Sequence, residues 1–109
     1  MKKRVFLSLG FRNRTEEEII SDIEQAKNII ISEYPHDEFE FIHNYYYEGD
    51  NRVECLGEAI KKMSTCHIAA FISGWPNYRG CKAELEICRS YNIPHIEVSL
   101  DFKRALYFR

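Results

Sequence analysis

The chain has no apolar run near the roughly 20 residues that a membrane span requires, so no transmembrane segment is expected. Its four cysteines, Cys55, Cys66, Cys81 and Cys88, form no C-x-x-C pair and join no Cys/His cluster with zinc spacing. That removes the usual structural metal sites, and at 109 residues the chain needs no disulfide or metal staple. Neither G-x-G-x-x-G nor G-x-x-x-x-G-K-S/T occurs, so the familiar dinucleotide and NTP-hydrolysis motifs are missing. A basic excess is missing too: the formal net charge is −2 and the pI about 6.1. A general binder of nucleic-acid polymers would show a basic stripe instead. No linker, low-complexity tract or internal repeat interrupts the sequence, which reads as one domain over residues 1–109. Lys2, Lys3 and Arg4 follow the initial Met1, but Ser8, Gly10 and Arg12 break the apolar stretch behind them too soon for a secretory leader. A leaderless cytoplasmic protein is expected, with no cofactor, no metal and no membrane partner.

What is present is ordinary globular composition, 45% hydrophobic and 29% charged, arranged in alternating strand and helix patterns. Val5-Phe6-Leu7-Ser8-Leu9 is too evenly apolar for a surface helix and suits a strand buried on both faces. Thr15-Glu16-Glu17-Glu18 reads as a capping box. It opens a helix on which Ile19, Ile20, Ile23, Ala26, Ile30 and Tyr34 recur until Pro35 stops it. A half-buried strand follows over Glu38–His43, then a second amphipathic helix carrying Val53, Leu56, Ala59, Ile60 and Met63. Cys66–Ile72 is the most apolar segment and reads as a central strand. A third helix shows Ala83, Ile87 and Tyr91 on one face, Asn92 and Pro94 end it, and His95–Val98 is a last short strand. The segment Ser99–Arg109 is ambiguous. The βαβαβαβ order with short connections predicts an α/β fold, a single small Rossmann-like domain. Its parallel sheet would have four to five strands and helices on both faces.

Ligands of such sheets bind outside the carboxyl ends of the strands, and three loops leave those ends. The first begins at Ser8 and carries Gly10, Phe11, Arg12 and Arg14. The second stacks Tyr45, Tyr46 and Tyr47 beside Glu48. The third holds Trp75, Asn77, Tyr78 and Arg79 before Gly80 and the next helix. Arginines and free helix amides suit a phosphate or carboxylate, and aromatic rings suit a planar or sugar-like body. A nucleotide-like ligand would satisfy both. Each element also has a plainer reading: the tyrosines as cover for a sheet edge, Trp75 as a loop anchor on the core, the arginines as solvated charges. Glu84 falls in the first turn of the third helix, near the loop edge, while Glu86 lies roughly 200° around the helix from it. Apolar neighbours make buried, inert thiols the plain reading of the cysteines. A reactive thiol would fall best on Cys81, whose place near a helix start lowers a thiol pKa.

From Val5 to Pro94 the sequence resembles the nucleoside 2-deoxyribosyltransferase-like superfamily, particularly its small bacterial and phage members. Four stretches carry the resemblance: Val5–Arg12, Thr15–Ile19, Leu56–Ile60 with Met63-Ser64, and Gly74-Trp75 followed by Arg79-Gly80-Cys81, Glu84 and Asn92-Ile93-Pro94. The resemblance implies that Glu84 is a carboxylate nucleophile attacking the anomeric carbon of a nucleoside, as in retaining glycosidases. It implies that Arg12 helps hold a 5′-phosphate. It also implies a homodimer or a dimer-based tetramer, for which Phe102, Leu106, Tyr107 and Phe108 offer an apolar patch. Two departures stand out. His67 takes about the place of an acidic residue before the central strand, and Glu86 replaces a small residue two after the nucleophile.

Two functions follow. One is an N-glycosidase or deoxyribosyltransferase acting on a nucleoside or nucleotide, with Arg12 and Arg79 as anion holders and Trp75 with Tyr45, Tyr46 and Tyr47 as the base or sugar wall. The other is a phage-type sponge, a binding protein that sequesters a nucleotide or cyclic nucleotide-derived immune signal without cleaving it. Either would work in the cytoplasm of a bacterial or phage-infected cell.

Overall fold

Val5, Phe6 and Leu7 are almost wholly buried although they follow one another directly. Successive strand residues point to opposite faces, so both faces of this strand must be covered. In a computed structural model, which describes residues 2–44 and 50–107, this strand is β1 (Lys2–Ser8). The chain continues through α1 (Glu16–Glu33), β2 (Glu38–Ile42), α2 (Arg52–Met63), β3 (Ile68–Ile72), a 3-10 turn at Trp75–Asn77, α3 (Arg79–Ser90), β4 (His95–Ser99) and β5 (Arg104–Tyr107). The sheet order is β2-β1-β3-β4-β5. β1 pairs in parallel with both β2 and β3, with Phe6 opposite Ile42 and Ser8 opposite Phe71.

The crossovers explain the layers. The chain steps from β1 outward to β2, then back past β1 to β3 and on to β4. Right-handed crossovers running in opposite directions place their helices on opposite faces. Accordingly Ile19, Ile23, Ala26 and Ile30 of α1 pack on Val5, Leu7, Ala70 and Ile72. On the other face Ala59 and Met63 of α2 and Leu85 and Cys88 of α3 pack on Phe6, Ala69 and Phe71. Emptying the Phe71 site would cost about 3–5 kcal/mol, the usual penalty for truncating a buried aromatic. Helix α1 starts on the expected capping box: Glu18 N–H donates to Thr15 Oγ1 at 3.1 Å and Thr15 N–H to Glu18 Oε1 at 3.0 Å. No helix among the described residues is long and apolar enough to cross a membrane.

Two expectations need correction. The sheet is mixed, because β5 runs antiparallel to β4, with Val98 opposite Ala105. Only residues 100–103 separate β4 from β5, far short of the dozen or more that a parallel crossover takes. A hairpin is the one connection that fits, and Lys103 turns it with φ 52°. The second correction concerns α3, whose buried residues are Cys81, Glu84, Leu85 and Cys88, while Tyr91 is 76% exposed. The core therefore centres on the cysteine-bearing stripe; of the expected face, Ile87 packs at the margin of the core and Tyr91 lies outside it.

Candidate functional site

Strand parity aims Ser8. It lies on the same side of β1 as Phe6, and so faces α3 at the carboxyl end of the sheet. Helix periodicity aims Glu84 back at it, since positions 81, 84, 85 and 88 share one face of α3. The two side chains meet in the interior, with Ser8 Oγ donating to Glu84 Oε1 at 2.9 Å. Both are buried, at 2% and 3% exposure. Burial pushes the Glu84 carboxyl up to about 7, against the opposing pull of the Ser8 hydrogen bond. A buried carboxyl with one hydroxyl partner is a poor way to stabilise a core, because its ionised form is costly there. Groups perturbed in this way gather at functional sites. Glu86, around the helix, is exposed.

Glu84 lines a cavity of about 580 Å3 at this carboxyl edge. Cys81 and Ala83 of α3 border it beside Glu84, and Val53 and Leu56 of α2 form an apolar wall. Opposite, the loop after β1 contributes Leu9, Gly10 and Phe11, and Tyr78 stands between that loop and α3. The Tyr78 ring lies directly against Gly10: a Cβ at residue 10 would sit 2.1 Å from Tyr78 Cε2. Only glycine lets the ring approach so closely. Three exposed guanidinium groups, Arg12, Arg52 and Arg79, also line the cavity. None of them forms an ion pair among the described residues. Arg14, by contrast, is used structurally: it donates to Gly10 O at 3.0 Å and pairs with Asp22, tying the loop to α1.

The structure thus brings Ser8, Gly10, Phe11, Arg12, Arg79, Gly80 and Glu84 to one cavity or its floor. Arg79 and Gly80 are the first residues of α3 and not part of the preceding loop. Trp75 and Asn77 lie off the cavity. Trp75 packs edge-on against Phe71, ring centroids 6.0 Å apart, in the core under α2 and α3, and Asn77 is exposed. Tyr45, Tyr46 and Tyr47 lie outside the described residues. His67 is at the opposite edge of the sheet, where its Nδ1 accepts from Arg4 N–H at 2.9 Å. His67 therefore takes no part in the cavity that Glu84 lines. Cys81 follows the plain reading of a buried, inert thiol and not the alternative of a reactive one. Its thiol is buried, and that burial pushes it up to about 12, overriding any help from the helix start.

Sequence reasoning missed Arg52, Val53, Leu56 and the wall role of Tyr78. Arg52 and Val53 did carry a signal, since they open α2 directly after its Asn51 cap and so sit at a helix start on the carboxyl edge. Val53 is 80% exposed, an apolar side chain left facing outward at the cavity. Among the described residues no group of three or more His, Cys, Asp or Glu side chains is placed to hold a metal ion. No family model matches the chain, and no curated protein or solved structure matches it either.

Proposed function

We propose that the carboxyl-edge cavity takes a nucleotide-like ligand and that Glu84 breaks its N-glycosidic bond. The observation that carries this reading is the Glu84 carboxyl itself, buried in an apolar stripe, held by Ser8 through one oxygen, and lining a ligand-sized cavity. Ser8 engages Oε1, so the second oxygen is left for the anomeric carbon. In the first step the carboxylate forms a C–O ester bond while the C–N bond breaks. The electron pair leaves with the base, which takes up a proton from solvent. Water then hydrolyses the ester, or a second base displaces it. The Tyr78 ring supplies a flat wall for base or sugar, and Arg12 and Arg79 suit a phosphate. The sheet supports the reading, since its order reverses between β1 and β3, the kind of crevice where Rossmann-like sheets take nucleotides. The resemblance to the nucleoside 2-deoxyribosyltransferase-like superfamily points the same way, and with it a cytoplasmic homodimer or dimer-based tetramer. Phe102 and Leu106, 79% and 48% exposed, suit a two-fold contact, and light scattering at micromolar concentration should give more than a monomer.

A second reading is favoured by the position of the Glu84 titration, about 7. Below that pH the carboxyl is neutral and can donate a hydrogen bond, which serves capture without cleavage, as in a sponge for a nucleotide-derived signal. Incubation with a panel of nucleosides, nucleotides and cyclic nucleotides, followed by chromatography before and after boiling, separates the two. Free base that vanishes in Glu84→Gln supports the glycosidase. Intact ligand released only on boiling supports capture. Absence of both overturns the proposal.

A further inference from the structure

We infer that the ligand carries two phosphate groups, and that Arg52 reads the second; the inference rests on the nucleotide reading above. The cavity is lined by Arg12, Arg52 and Arg79, which come from three separate elements: the loop after β1, the start of α2 and the start of α3. Glu84 is the single acid among the described lining residues, and its burial favours the uncharged form. The site therefore presents three positive charges with at most one negative charge to offset them. Three like charges around one cavity repel one another, and no described carboxylate forms an ion pair with any of them. This happens on a chain whose formal net charge is −2, so the local excess is not a general property of the surface.

One phosphate monoester carries roughly −1.5 to −2 charges at neutral pH and is served by two guanidinium groups. A third arginine is then left without an anion. A diphosphate supplies a further charge and further acceptor oxygens, which matches the third guanidinium. The side chains are exposed, so their attraction is screened until a ligand displaces water between them. Val53 and Leu56, adjoining Arg52 on α2, give the ligand an apolar surface beside this charge.

The test uses calorimetric titration of the full chain at fixed ionic strength. The probes are the nucleosides of adenine, guanine, cytosine and uracil, their 5′-monophosphates and 5′-diphosphates, and inorganic pyrophosphate. Within the series of the best-bound base, the diphosphate should bind at least tenfold more tightly than the monophosphate. Arg52→Ala should erase that gap while leaving monophosphate affinity within about twofold, and Arg52→Lys should restore part of it. Equal affinity for mono- and diphosphate in the unmodified chain would overturn the inference and leave the nucleotide reading standing. Pyrophosphate binding as tightly as any nucleoside diphosphate would overturn the nucleotide reading and leave a two-phosphate rim. If no member of the series binds, both fall. Thermal unfolding of the variants without ligand checks that Arg52, exposed on the first turn of α2, has not disturbed the fold.

Discussion

The arginines that rim the carboxyl-edge cavity are used differently from the cations of the sheet's amino-terminal edge. At the amino-terminal edge, Lys3 pairs with Asp37 at 3.0 Å and Arg4 with Glu40 at 2.8 Å. Arg4 also donates to Thr65 O and Thr65 Oγ1, and its backbone to His67. The hollow there is small, about 190 Å3, and is bordered by the Lys3–Asp37 pair and apolar side chains such as Ile30, Phe39 and Ile68. At the carboxyl edge, Arg12, Arg52 and Arg79 surround a cavity three times larger with no ion pair among the described residues. The interior repeats the contrast. Asn44, the other buried polar side chain besides Ser8 and Glu84 among the described residues, donates to Cys55 O at 3.2 Å and accepts from Lys62 Nζ at 2.6 Å. Asn44 is engaged through both its nitrogen and its oxygen, tying the segment after β2 to α2, whereas Glu84 is engaged through one oxygen by one hydroxyl. Polar groups that hold a fold together find partners within it; those kept for a ligand do not.

The largest effect expected from this contrast is on the pH dependence of stability. Glu84 is raised from an ordinary 4.5 to about 7 in the folded protein. The folded state therefore holds its proton more tightly than the unfolded chain does. The resulting stabilisation is full below pH 4.5 and is lost as pH rises through 7. A shift of that size corresponds to about 3 kcal/mol. Urea unfolding of the unmodified chain and Glu84→Gln at pH 5 and pH 8 should show their stability difference moving by about that amount, in favour of the glutamine at high pH. A difference that does not move with pH would mean that Glu84 titrates normally.

Next comes the close contact at the carboxyl edge. Gly10→Ala forces the new Cβ into the Tyr78 ring and should cost about 1–3 kcal/mol, the range for an overpacked site. In a Tyr78→Ala background the same substitution should cost nearly nothing. A double-mutant cycle in thermal denaturation reads that coupling, and additive costs would show that the ring does not rest on Gly10.

The smallest effects separate the two sets of cations. Arg4→Ala breaks a partly exposed pair and should lower stability by about 0.2–1 kcal/mol, without altering nucleotide binding. Arg12→Ala or Arg79→Ala should leave ligand-free stability within about 0.5 kcal/mol yet weaken nucleotide binding about tenfold, consistent with one lost charge-assisted hydrogen bond. Thermal melts with and without nucleotide report both quantities. If the rim variants cost the free protein more than about 0.5 kcal/mol and leave nucleotide binding unchanged, the comparison between edges fails.

Much of the fold was legible because its signals are local. The capping box at Thr15, the stop at Pro35 and the apolar runs of β1 and β3 each follow from neighbouring residues. So did the placement of Glu84 near the loop edge, which needs only helix geometry. The mixed sheet was not legible, because β5 carries too weak a strand pattern, and without a fifth strand the short spacing after Val98 signals no hairpin. The buried face of α3 is harder to read, because Cys81 and Cys88 pack as small apolar residues in its core stripe while the apolar pattern of the neighbouring stripe ends on the exposed Tyr91. What stayed hidden was contact across the sequence. Nothing near Gly10 announces that Tyr78 rests on it, and Arg52 looks locally like any solvated first-turn charge. Trp75 illustrates the converse, since its rarity drew attention to a ring that packs on Phe71.

Burial at the carboxyl edge makes Glu84 a titrating group at the wall of a cavity that a ligand can enter. Carbon-detected NMR of the glutamate side-chain carboxyls, with Glu84 assigned through Glu84→Gln, measures this directly. The Glu84 resonance should titrate near pH 7 in the free protein and shift when the best-bound nucleotide is added. Titration in the ordinary glutamate range, with no response to any nucleotide of the panel, would contradict it.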